Sequence, residues 1–133
     1  MQMRNLKVPI SLGELIDKIT ILRIKSNKIN SNEAQKNIRS ELEKLEHILN
    51  TKISVNTNLK NFEIKLSKIN QTLWDIEDQL REKEREKKFD KKFISLARMV
   101  YYKNDERAKI KRMINKSFGS ELIEEKSYTQ YSL

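Results

Sequence analysis

Three groups of polar side chains fall on or beside otherwise apolar helical stripes, and any chemistry of this chain would have to reside there. The first is Asp17 and Lys18 within Leu-Ile-Asp-Lys-Ile-Thr-Ile-Leu, followed by Arg23 and Lys25. The second surrounds Trp74 with Asp75, Glu77 and Asp78. The third is Asn104, Arg107 and Lys111, spaced to share a stripe with Phe93, Val100, Ile114 and Phe118, with Arg98 and Tyr101 just upstream. A buried charge without a partner is expensive, so these groups must meet one another, water or a ligand. Two readings follow. In one, Asp17 or Glu77 meets Arg98 or Arg107 in an internal ion-pair network that fixes helix register. In the other, Arg23, Arg98, Arg107 and Lys111 line an anion pocket between helices, walled by Trp74 or Tyr101. Arginine suits a carboxylate or phosphate because its planar fork donates two parallel hydrogen bonds. The candidate ligand-binding set is therefore Asp17, Arg23, Trp74, Glu77, Arg98, Tyr101, Asn104, Arg107 and Lys111.

Other chemistries are excluded or left without a carrier. There is no cysteine, so disulfides, thiolate catalysis and cysteine-ligated zinc are out. The single histidine, His47, sits beside Glu43 and Glu46 on the polar side of its helix pattern, where a surface role is expected. No nucleophile-and-base arrangement, metal motif or phosphate loop is present, so no catalytic residue, cofactor or metal is expected, and the balance leans away from an enzyme. The net charge of +9 is uneven, at about +6 over residues 89–119 against about −2 over residues 120–133. The basic fourth helix allows weak nucleic-acid binding. Acids interleave with the lysines elsewhere and no known module can be placed, so generic surface charge is the preferred account.

The elements that must position these groups are helices. Between Gly13 and Gly119 there is neither glycine nor proline, the residues that punctuate strand-and-turn folds. Ser11 and Glu14 have capping-box spacing, and Leu12, Leu15, Ile16, Ile19 and Leu22 recur at helical intervals, predicting a first helix over 11–29. Asn30 and Glu33 can cap a second helix, 32–50, with the stripe Ile38, Leu42, Leu45 and Leu49. Residues 50–58 read as the reversing loop. The third helix, 58–88, carries Leu59, Phe62, Leu66, Ile69, Leu73, Ile76 and Leu80 in 3-4 spacing, a seam that calls for an antiparallel hairpin with the second helix or for a homodimer. Its end, residues 81–88, is wholly charged and reads as a solvated helix terminus. Asp90 caps a fourth helix, 90–118, in which Asn104 marks a point of continuation or break. Gly119 closes it, and the tail 119–133 packs back. The expected fold is all-α, a single-domain antiparallel helical bundle (1–133) with a long coiled-coil-like hairpin.

Four segments resemble an uncharacterised bacterial protein family, a domain of unknown function. They are Pro9–Leu22, Leu73-Trp74-Asp75-Ile76-Glu77-Asp78, Tyr102-Lys103-Asn104-Asp105-Glu106-Arg107 and Gly119–Tyr128. The resemblance covers almost the full length and implies no established activity. Leu15-Ile16-Asp17-Lys18-Ile19 is also similar to the start of the first helix of all-helical chorismate mutases. The basic residues after Asp17 depart from that family's spacing, which limits the likeness to fold. The start lacks an apolar signal segment and no run reaches membrane-spanning length, so a cytoplasmic protein is expected. Two functions stand: a non-enzymatic binding or scaffolding protein with a protein partner, or a site for a phosphorylated or carboxylated small molecule.

Overall fold

The computed structural model describes residues 6–54 and 56–132. The expectations for Met1–Asn5, for Val55 within the reversing loop and for Leu133 at the end of the tail lie outside the described residues. Among those described there are four helices and no strand: α1 (Leu12–Lys28), α2 (Asn32–Lys52), α3 (Thr57–Glu86) and α4 (Lys91–Ser117). Among the described residues no helix is long and apolar enough to cross a membrane.

Local capping decides most of the boundaries. Ser11 Oγ accepts from the Glu14 N–H at 3.1 Å, the first half of the capping box. The second half is diverted, because the Glu14 carboxylate turns to Lys111 instead. The second helix is capped by Ser31, which accepts from Ala34 N–H, rather than by the expected Asn30. Asn56 caps α3 through Leu59 N–H and Asp90 caps α4 through Phe93 N–H, both at 2.9 Å. These caps shorten the expected loop at 50–58, since α2 runs to Lys52 and α3 starts at Thr57. At the other end α3 stops at Glu86, where Lys87 takes a left-handed conformation with φ 57° and Lys88 N–H closes back on Lys83 C=O at 2.9 Å. Helix α4 passes through Asn104 unbroken and ends where Gly119, φ 63°, lets Ser120 N–H reach Asn115 C=O.

The helices pair in an order that corrects one expectation. The four-residue turn Lys87–Asp90 folds α4 back along α3, so that Lys83 meets Asp90 near the turn and Asn70 meets Arg107 farther down. Helix α1 then lies across the open end of this hairpin. Its first turn touches α4, where Gly13 meets Asn115, and its later turns reach α3, where Arg23 meets Glu63. Helix α2 backs closely onto α1 alone and not onto α3. The reason is length: α4, 27 residues, can follow the 30-residue α3 for most of its course, while α1 takes the remaining face.

The seam of α3 is thus covered within one chain. Leu59 and Leu66 are fully buried with Ile16, Ile19 and Ile114, while Ile69, Leu73 and Ile76 continue the buried stripe. Each of these side chains contributes about 1.5–3 kcal/mol of gross burial energy. Ile38 and Leu49 are buried on α2, with Leu42 and Leu45 partly so. Met113, next to the fully buried Ile114 on α4, is half exposed.

Candidate functional site

The crossing of α1 over the hairpin gathers polar groups into one buried cluster. Gly13 makes the crossing possible: a Cβ built there would lie 2.6 Å from the Lys111 carbonyl oxygen. The helix start is satisfied by the same contact, since Gly13 N–H donates to Asn115 Oδ1 at 2.7 Å and Leu12 N–H to Ser120 Oγ at 3.4 Å. One turn on, the buried Asp17 accepts from Asn70 Nδ2 at 2.8 Å. Asn70 Nδ2 also donates to Thr20 Oγ1 at 2.9 Å, and the Thr20 hydroxyl donates to the Asp17 carbonyl at 2.8 Å. No buried side-chain nitrogen or oxygen among the described residues lacks a partner.

Lys111 is the centre of the charge. Its ammonium, on a side chain only 8% exposed, meets Glu14 at 2.7 Å, Glu124 at 3.1 Å and Asp17 at 3.9 Å. Burial alone would pull its pKa down, but the Glu14 and Glu124 hydrogen bonds and the nearby Asp17 charge outweigh that and raise it. Glu124 is held below the ordinary carboxylate range first by Lys126, 2.6 Å away, and then by Lys111. Arg107 stands differently. Its Nε is 3.8 Å from Asp17 Oδ1, and among the described residues its one hydrogen bond is Nη1 to Asn70 Oδ1 at 3.4 Å. Most of its fork is unengaged.

Residues 120–132 run back along α4 and roof this cluster. Besides the Glu124 bridge, Glu125 meets Arg112 at 3.0 Å, and the Tyr131 hydroxyl donates to the Asp105 carboxylate while its ring packs edge-on against Tyr101. That hydrogen bond to a carboxylate pushes the Tyr131 pKa up to about 12. Between the strap and α4 lies a cavity of about 460 Å³. Tyr101, Asn104, Asp105, Arg107 and Lys111 line it from the helix, and Glu124, Lys126, Tyr128 and Tyr131 line it from the strap.

Of the nine residues singled out in the sequence, Tyr101, Asn104, Arg107 and Lys111 line this cavity, and Asp17 lies directly behind Arg107 and Lys111. The other four are elsewhere. Arg23 is engaged by Glu46 at 3.1 Å and by Glu63, and although burial opposes its charge these two carboxylates raise its pKa. Arg98 is exposed and donates to the Tyr102 hydroxyl at 2.7 Å. Glu77 pairs with Arg81 on its own helix, and Trp74 is half-buried on α3 away from the cavity lining. As site residues, Gly13, Glu14, Asn70, Asn115 and Glu124 escape the sequence pattern. Asn70 was detectable, because it falls beside Ile69 inside the seam, and Asn115 is likewise one turn on from Lys111.

Fold and site together define an all-α protein of four helices, with its charged groups gathered where α1 crosses a helical hairpin. No group of His, Asp or Glu among the described residues is arranged to hold a metal. The chain belongs to a family of unknown function, DUF6165, whose family model spans residues 6–132. No curated protein and no solved structure matches it.

Proposed function

We propose that the protein is a non-catalytic binding protein whose ligand is a small phosphorylated or carboxylated molecule held between α4 and the C-terminal strap. The observation that carries this reading is Arg107. Its guanidinium opens onto a cavity of ligand size with a single long hydrogen bond made to protein. A guanidinium so placed has donors left for the two oxygens of a carboxylate or phosphate. Asn104, one turn before it, adds a neutral donor, and the rings of Tyr101, Tyr128 and Tyr131 supply flat walls for the uncharged part of a ligand.

The site is lined by residues of one chain, so the reading needs no second copy. The seam that suggested a homodimer is covered by the chain's own helices. The strap also occupies Lys111 and Arg112 of the basic helix, which lowers its value as a nucleic-acid surface. We place the protein in the bacterial cytoplasm as a single domain without a resident cofactor.

Thermal unfolding with inorganic phosphate and with glutarate tests the reading. A ligand that binds only the folded state at a hundred times its Kd stabilises by about 2.7 kcal/mol. The expected result is a saturable rise in melting temperature for the wild type and a much smaller one for Arg107→Lys, which keeps the charge and loses the fork. A flat response in the wild type sinks the proposal and returns the exposed helical faces, with a protein partner, to first place.

A further inference from the structure

The charges around the cavity raise a difficulty for any anion, and its solution names the ligand more closely. Arg107, Lys111 and Lys126 face Glu14, Asp17 and Glu124, and Asp105 adds a further acid at the rim. Three cations stand against four carboxylates, so an acidic group is held here only by an unengaged donor, as at the Arg107 fork, or by taking a carboxylate's place at its cation. Glu14 and Asp17 cannot be carried away with their backbone, because both sit on α1, which is locked against α4 through Gly13 and Asn115. Glu124 can. It lies on a segment whose residues 121–132 are all exposed, and backbone–backbone hydrogen bonds tie that segment down only at Ser120 among the described residues.

Resting on the anion-site reading above, we propose that the Glu124 carboxylate is a resident stand-in for one acidic group of the ligand, and that the ligand is a diacid. One acidic group is held by the Arg107 fork. The other takes the place of Glu124 at Lys111, four residues and so about 6 Å along the same helix face. Both cations line the same cavity, which makes a single molecule able to reach them together. When the second group arrives, Glu124 and its bridge to Lys126 swing away, and the strap lifts from its middle. A monoacid engages Arg107 alone and leaves the strap in place. The strap therefore selects by number of charges: it competes with the second acidic group and is indifferent to the first.

The test is calorimetric titration of the full-length wild type and of Glu124→Gln with glutarate, a diacid, and butyrate, a monoacid of similar length. Glu124 lies on the strap outside the helical core with its side chain 42% exposed, so its amide variant keeps the fold. Removing the competing Glu124–Lys111 pair, buried on the lysine side and partly exposed on the glutamate side, should tighten glutarate binding roughly two- to fivefold, with butyrate unchanged. Glutarate, and not butyrate, should also speed tryptic cleavage after Lys126 in the wild type. If both acids bind but Glu124→Gln changes neither affinity, the stand-in inference falls and the Arg107 site survives. The inference falls in the same way if the substitution tightens both acids equally, since that is a general charge effect. If neither acid binds either protein, the inference and the site fall together.

Discussion

Gly13→Ala is the substitution on which local and tertiary physics give opposite signs. Within a helix alanine is better than glycine by about 0.8–1 kcal/mol, so propensity alone predicts a more stable protein. The structure predicts a less stable one. The new Cβ would stand 2.6 Å from the Lys111 backbone oxygen and 3.0 Å from both Lys111 Cα and Asn115 Oδ1. Two of these three are main-chain atoms of α4 and have no rotamer into which to retreat. Relief requires α1 and α4 to part by several tenths of an ångström, which stretches the 2.7 Å bond from Gly13 N–H to Asn115 Oδ1. Overpacking costs about 1–3 kcal/mol and a clash against main-chain atoms belongs at about 2–3, so after the propensity gain the net loss is about 1–2 kcal/mol. In a chain of this length each kcal/mol corresponds to roughly 3–6 °C in melting temperature. Urea unfolding followed by circular dichroism measures the quantity directly, with the exposed Lys18→Ala on the same helix as the control. An unchanged or raised midpoint for Gly13→Ala would refute the close crossing of α1 and α4.

Lys87→Gly should stabilise the protein by about 0.5–1 kcal/mol, because Lys87 holds a left-handed conformation that glycine adopts without strain, and denaturant midpoints will show it. Lys111→Met should cost about 2–4 kcal/mol in the same assay, since it leaves Glu14, Asp17 and Glu124 converging on a site without their shared cation. For Tyr131 the folded pKa is raised, so its contribution to strap docking is complete below the ordinary phenol pKa near 10 and is lost as pH rises through about 12. Phenolate absorbance should therefore show Tyr131 titrating late, and Asp105→Asn should bring it back toward the ordinary phenol range. Glu124 has the opposite sign: its pKa is lowered, so its hold on the strap is complete above the ordinary carboxylate range and fades as pH falls below it, read as faster cleavage within residues 121–132 by an acid protease.

The helices were legible because their signals are local. Apolar side chains repeat at the helical period, and the N-caps Ser11 and Asp90 each act within three residues of their own position. Pairing was less legible. The Leu59–Leu80 stripe shows that α3 must be covered but carries no mark of which helix covers it; both neighbours are joined to α3 by four residues, and the longer α4 follows it where α2 does not. The site divides the same way. Arg107 and Lys111 stood out as cations on an apolar stripe. Arg23 carries the same local signature and is spent on Glu46 and Glu63, which lie 23 and 40 residues away. Glu124 lies in a stretch without periodicity, so nothing near it in the chain announces Lys111 as its partner. The Glu14 carboxylate shows how a local rule yields: its capping-box role is displaced by a buried ammonium 97 residues on.

The capping of α1 has a consequence for the order in which the chain can complete itself. The N–H groups of Leu12 and Gly13 are satisfied by Ser120 and Asn115, across 108 and 102 residues. During synthesis the start of the first helix therefore waits, its donors turned to water, until the last helix has left the ribosome. The α1–α2 pair leaves the ribosome first, and the α3–α4 hairpin, which also needs only neighbouring residues, forms as α4 emerges. Folding in the cell is then a closing of the two ends of the chain over a hairpin already made, and growing chains cut short before Asn115 should keep the hairpin's helicity while α1 remains frayed.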